Sequence, residues 1–287
     1  MSILNAEFAA FARRKEQEAL TAALLPYVTA TDGHDAKAVA IGNAWSQSLF
    51  DGDFYVSPPP DQSPPACSLV FVQSKDGNTG GRNPTALGGG ETDKHLIYEG
   101  LSRVAADAVM SGAETIRRGD IIFSIWHPEL VRLRAALGKP RHPVQLVATL
   151  TGFALDRGML FNTPDVPVVV VTIGPVAALL QNALAARPWI TPVVMERASD
   201  LRLAFDHLWS LGIERISCVG GRRIATQLID AGLVQDLYLT TSPRIGGDPN
   251  TPVYPGPLDG RVVVRKLGTG ADAGVIFEHI SLTGHRS

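Results

Sequence analysis

The chain has 287 residues, 45% of them hydrophobic and 19% charged, with a formal net charge of -2 at pH 7. That length and apolar content suffice for a packed core, and the near-neutral balance excludes a chain-wide field for nucleic acid or an anionic membrane, so any anion has to be bound locally. No run of about 18 apolar residues marks a membrane span. The charged start MSILNAEFAAFARRKEQEAL lacks a signal-peptide core, and Cys67 and Cys218 lack CxxC or Cys/His ligand spacing, which points to the reducing cytoplasm and to no structural zinc.

In chain order, a helical candidate over 5–24 is followed by Gly/Asp-containing segments and then by SPPPDQSPPA, 57–66. Prolines fix their own φ and push the preceding residue out of the helical region, so this run reads as an extended linker and residues 1–66 as an N-terminal appendage. Whether it packs on the main body or on a second subunit stays open. From Ser68 the pattern changes. SLVFVQ (68–73) is strand-like, and DKHLIYEGLSRVA (93–105) puts Leu96, Ile97, Leu101 and Val104 on one helical face. DAVMSG (107–112) is a strand, HPELVRLRAALG (127–138) a glycine-closed helix, PVQLVATL (143–150) a strand, and VPVVVVTI (166–173) a buried parallel strand. Gly174-Pro175 opens a helix, TPVVME (191–196) is a strand, and SDLRLAFDHLWSLG (199–212) is a helix with a Ser or Asp cap. ERISCVGG, RRIATQLIDAG and VQDLYLTTS then give strand, helix and strand, and RVVVRKLGTGADAGVIFEHISL a hairpin. The alternation predicts one α/β domain over 67–287, with a mostly parallel central sheet, helices on both faces and a C-terminal antiparallel hairpin as its edge.

Ligands of such sheets bind beyond the carboxyl ends of the strands, so the strand-to-helix turns are the places to search. Gly220-Gly221 lets a group approach the backbone at a helix start, where free amides favour a phosphate, with Arg222 and Arg223 beside it; a plain tight turn is the competing account. SGAETIRR (111–118) offers Thr115, with Arg117 and Arg118 nearby in sequence. ATLTGFALD (148–156) offers Thr149, Thr151 and Gly152, alone as readily a loop cap as a site. In FVQSKDGNTG (71–80), a carboxylate buried at the strand end, Asp76, accepts from heterocycle NH groups or delivers a proton with a raised pKa, against the alternative of an Asp-Gly turn. GTGADAG (268–274) has strands on both sides and reads as a hairpin turn. GGG (88–90) lacks the lysine and serine of a phosphate loop, and the seven histidines form no HExxH or other close metal pair.

The ordered set S-x-D-G, ADAVMSGAETIR, TLTG, VVVVT and CVGGRRIATQLIDAGLVQDLYLTTSPRIGG, across 68–282, resembles the reductase domain of the bacterial riboflavin-biosynthesis deaminase/reductase family, whose fold is like that of dihydrofolate reductase. The deaminase's combined HxE and PCxxC signature does not occur, so the resemblance implies the reductase activity alone. It implies NADPH as cofactor and the reduction of a phosphorylated ribosylaminopyrimidine to its ribityl form in a homodimer, a dimer compatible with an apolar edge near LYLTTSP. It carries cofactor contacts onto Val72, Gly112, Ala113, Thr115, Thr149, Thr151, Gly152, Thr172, Gly220, Gly221, Arg222, Arg223 and Ile224. Substrate contacts fall on Ser74, Asp76 and Arg103, with Asp76 the candidate proton relay and Arg103 placed like a family arginine that holds the substrate phosphate. The chain departs from the family at Val219, where a glutamate precedes the glycine pair, at Arg118, Gly119 and Asp120, and in NPTALGGGETD (83–93). Cofactor features survive better than substrate features. A changed acceptor, dihydrofolate among them, or a non-catalytic nucleotide-binding module is therefore the alternative.

Overall fold

The computed structural model describes residues 3–58, 60–62, 64–81, 87–117 and 121–282. The N-terminal segment contributes α1 (Ile3–Thr21), β1 (Tyr27–Asp32), β2 (Val39–Ile41), α2 (Ala44–Phe50) and β3 (Phe54–Val56). Then follow β4 (Ala66–Gln73), α3 (Gly90–Thr92), a π-helix over Asp93–Leu101, β5 (Ala108–Gly112), α4 (Ala113–Arg117), α5 (Pro128–Ala136), β6 (Val144–Ala148), β7 (Val168–Ile173), α6 (Gly174–Ala185), β8 (Ile190–Met195), α7 (Leu201–Ser210), β9 (Arg215–Cys218), α8 (Arg222–Asp230), β10 (Asp236–Thr241), β11 (Gly260–Gly268) and β12 (Ile276–Leu282).

Ten strands form one sheet in the order β1-β11-β12-β10-β4-β9-β5-β6-β7-β8. The run from β10 to β8 is parallel throughout, and β1, β11 and β12 join antiparallel at one side. This is the mostly parallel, dihydrofolate reductase-like α/β architecture expected from the alternating pattern. Two details differ. The C-terminal hairpin is not the edge, because β1 pairs outside β11, Tyr27 opposite Gly268; so the N-terminal segment packs on the main body. The apolar stretch LYLTTSP is not an edge either, since β10 is paired by β12 on one side and β4 on the other. A third, smaller difference lies at α7, where Asp200 holds the N-cap position but makes no side-chain cap and instead accepts from the Arg197 amide at 3.0 Å.

On one face, α7 and α8 pack Phe205, Leu208, Ala225 and Leu228 onto Leu69, Met110, Leu146 and Val171. The other face has two cores. Phe8 and Phe11 of α1 join Val176 and Leu180 of α6 over Val147, Val168 and Val170, while Leu96, Ile97 and Leu101 of the π-helix meet Phe50, Phe54 and Val70. Each of the valine, leucine, isoleucine, methionine and phenylalanine side chains, once removed from water, contributes on the order of 1.5–3 kcal/mol. Leu96, Ile97, Leu101 and Val104 all turn inward, as their spacing predicts.

Candidate active site

Because β9 lies between β4 and β5, its outgoing turn rises between the Ser74 turn and Gly112, and one rim collects the carboxyl ends of β4, β9, β5, β6 and β7. The Gly112 amide donates to the Gly220 carbonyl at 3.2 Å, and the Val219 amide to that of Met110 at 2.9 Å, which fixes the glycine turn against β5. Gly220 and Gly221 have φ of 104° and 27°, conformations that side-chain-bearing residues rarely adopt. Gly221 is the N-cap of α8, and no side chain caps the helix, so its leading amides are left for solvent or a ligand. A Cβ at Gly221 or at Gly112 meets no atom within 4 Å, so space stands open beside both. Arg222 and Arg223 are exposed, whereas the Ile224 side chain belongs to the core and has only its backbone to offer the rim.

The turn after β6 is built differently from the donor-rich loop the sequence suggests. Thr149 Oγ1 accepts from the amides of Thr151 (3.3 Å) and Gly152 (2.9 Å), so these two donors are spent inside the turn. Thr172 is fully buried and donates its hydroxyl to the Thr149 carbonyl at 2.8 Å; it supports the turn from below rather than facing the rim. Arg117 Nη2 donates to the Gly152 carbonyl at 2.6 Å, tying the end of α4 to this loop. Ala113 is buried at the start of α4, with Thr115 half-buried two residues on. Arg118, Gly119 and Asp120, and positions 83–86 of the NPTALGGGETD stretch, lie outside the described residues.

Asp76 corrects the expectation of a buried carboxylate with a raised pKa. It is exposed, and its oxygens are occupied by the Ser74 hydroxyl (2.6 Å), the Gly246 amide (3.2 Å) and Asn78 Nδ2 (2.8 Å). The Ser74 bond first, then the Gly246 amide, hold its carboxyl below the ordinary range. The group is an ionised acceptor, not a proton source. Ser74 is buried, and Val72, in register with Thr240 on β10, lies half-buried at the end of β4.

Arg103 also departs from expectation: it does not stand in an open cleft. It follows the π-helix, 4% exposed, with its guanidinium carbon 3.9 Å from the Tyr98 ring centre and 5.2 Å from that of Phe123, and Nη1 donates to the Ser124 carbonyl at 3.3 Å. Burial pushes its pKa down, opposed by Tyr98 and Glu99. Nε and Nη2 have no partner among the described residues.

Sequence reasoning missed Asp93, the first π-helix residue, which is buried and accepts from the Thr240 hydroxyl at the end of β10. Burial raises its pKa to about 7, with the neighbouring charge of Asp272 adding to the rise and the Thr240 bond opposing it. An acid in the first turn of a predicted helix reads as a surface residue, and nothing local announces its burial. Among the described residues no group of His, Cys, Asp or Glu could hold a metal ion, and no helix is long and apolar enough to cross a membrane.

The strand order and the rim of glycine turns define an α/β protein of dihydrofolate reductase-like fold. The family model of the RibD C-terminal domain matches residues 66–272, and the chain belongs to that family of reductase domains. Solved structures share the fold. A pyrimidine reductase-like protein from Corynebacterium diphtheriae aligns with a TM-score of 0.61 at 22% identity, over 76% of this chain and 92% of that one. A diaminohydroxyphosphoribosylaminopyrimidine deaminase/5-amino-6-(5-phosphoribosylamino)uracil reductase from Thermotoga maritima aligns at 0.56 and 15% identity, over 76% of this chain and 57% of its own. The riboflavin biosynthesis reductase of Saccharomyces cerevisiae aligns at 0.54 and 15% identity, over 78% and 93%. This chain thus spans little more than half of the bifunctional Thermotoga protein. No curated protein matches the sequence.

Proposed function

We propose that the protein is an NADPH-dependent reductase that delivers hydride to a ribosylaminopyrimidine or a related heterocyclic acceptor, as a cytoplasmic homodimer. The observation that carries this reading is the open glycine rim: free amides at the start of α8, with vacant space beside Gly112 and Gly221. A dinucleotide diphosphate fits such a place, because unpaired amides and the positive end of a helix favour an anion and missing side chains allow close approach.

The cofactor, when bound, supplies the hydride. The chain's own part is to bind and align. The amides at the start of α8 receive the diphosphate, with Arg222 and Arg223 adding positive charge. Gly112, Ala113 and Thr115 line the adjoining turn, and the Thr149, Thr151 and Gly152 loop, held by Arg117, forms the next wall. Val72 backs the reacting ring, and Asp76, ionised and braced by Ser74, accepts from N–H groups of the acceptor. Such alignment lowers the barrier by pre-organising the reacting pair.

A ligand bound by the native state alone raises the melting temperature. NADPH is expected to stabilise the full-length protein more than NADH does, read by differential scanning calorimetry; equal shifts, or none, contradict the reading. A non-catalytic module would bind NADPH without oxidising it across a panel of aminopyrimidine and pterin acceptors.

A further inference from the structure

The N-terminal segment, lying almost wholly ahead of the matched domain, grips one irregular stretch of it. Residues 121–127 run between α4 and α5 without helix or strand, and a buried chain of this kind must find partners for its polar backbone elsewhere. The matched domain supplies some. Gln145 Oε1 accepts from the Phe123 amide at 2.9 Å, and Gln145 Nε2 donates to the Phe123 carbonyl at 2.8 Å. Glu99 Oε1 accepts from the amides of Trp126 (2.5 Å) and His127 (2.7 Å).

The rest of the grip comes from residues 11–45. Phe11 meets Trp126 edge-on at 5.6 Å, and Trp45 stacks on His127 at 4.1 Å. Glu16 pairs with Arg141 at 3.1 Å, and Arg141 in turn donates to the Ile125 carbonyl. Asn43 Nδ2 donates to the Glu129 carbonyl at 3.1 Å, in the first turn of α5 and beyond the strap itself.

Beneath this strap lies Arg103, covered by the Phe123 ring and the Ser124 carbonyl, with Nε and Nη2 buried and without partners among the described residues. A buried cation with unused donors is unfavourable. A displaced strap would return those donors to water, so the closed position carries a penalty that its clamps must outweigh. We propose that the N-terminal segment, through Phe11, Glu16 and Trp45, is a latch that holds the 121–127 strap closed over Arg103, and that the strap is a gate which opens when the latch is loosened. The latch is independent of the reductase reading, which gives Arg103 no part in binding the acceptor.

The test uses the full-length protein, with hydrogen exchange across 121–127 and modification of Arg103 by phenylglyoxal, both read by mass spectrometry. Trp45→Ala is expected to raise both rates about tenfold while exchange in β5, β6 and β7 stays at the wild-type level, the signature of a local opening. Should that variant fail to fold, Glu16→Gln, a change at a half-exposed side chain, is expected to raise both rates about twofold to fivefold by the same local route. Rates equal to wild type, or rates that rise only together with exchange of the whole sheet, overturn the latch. NADPH-induced stabilisation of wild type is measured in parallel: its absence counts against the reductase reading and leaves the latch result standing.

Discussion

The two ends of the parallel strands are finished in opposite ways. At the amino ends, charged side chains spend themselves on the backbone. Asp107 Oδ2 accepts from the amides of Glu214 (3.0 Å) and Arg215 (2.9 Å) while Oδ1 meets Lys139 Nζ at 2.5 Å. Arg134 donates to the carbonyls of Arg103, Val104, Ala106 and Pro140. Asp236 holds His279 at 2.7 Å and Ser57 at 2.6 Å, and the small cavity lined by Ser57, Ser102, Arg215 and Tyr238 lies at this end. At the carboxyl ends, glycines replace side chains and the α8 amides go uncapped. One end is committed to holding the fold, and the other keeps donors and space for a ligand.

Four changes sharpen or break that contrast. The largest effect is expected at Arg134, 1% exposed, with its pKa brought down to about 10, mainly by burial. Arg134→Ala leaves carbonyls unpaired and is expected to cost about 3–5 kcal/mol in urea unfolding with the NADPH-induced thermal shift intact; a loss below about 1 kcal/mol would show that the amino end is not the structural one.

Asp93 comes next. The folded state keeps a proton up to about pH 7 that the unfolded chain releases near pH 4. The group's stabilisation is therefore full in acid and is lost as pH rises through the folded pKa. Asp93→Asn removes this slope, so between pH 4 and 8 the wild type should lose on the order of 2–4 kcal/mol relative to the variant. Parallel stability curves would refute a buried, protonated Asp93.

Gly112→Val is the rim counterpart. Gly112 has an ordinary φ and no neighbour within 4 Å of a Cβ, so the fold should tolerate the side chain while NADPH affinity drops about tenfold, or about 1.4 kcal/mol, by titration calorimetry. Undiminished affinity would move the cofactor off this turn. The smallest effect belongs to Arg117→Ala, since the side chain is 45% exposed. A stability change within about 0.5 kcal/mol is expected, and a larger one would make the tie between α4 and the Gly152 loop structural.

What the amino-acid sequence makes legible is local. VVVVTI announces a buried strand, glycine closes helices, and strand-to-helix alternation orders them along the chain. Pairing is not local. That β9 inserts between β4 and β5, or that YVTATD in the N-terminal segment adds β1 outside the hairpin, depends on contacts across more than a hundred residues, with no short-range signature. The π-helix was hidden because its apolar spacing also suits an α-helix. At the site, the glycine turns were legible because backbone conformation demands the residue. Asp76, Arg103 and Thr172 were not, because a side chain's partners depend on loops that arrive from elsewhere: Gly246 for Asp76, Ser124 for Arg103, the Thr149 carbonyl for Thr172.

The most direct test of the contrast is amide hydrogen exchange of the full-length chain with and without saturating NADPH. Added protection is predicted at the carboxyl rim, in peptides covering 112–117 and 219–225, and none at 104–107 or 213–216. Protection at the amino ends with the rim unchanged would contradict the account.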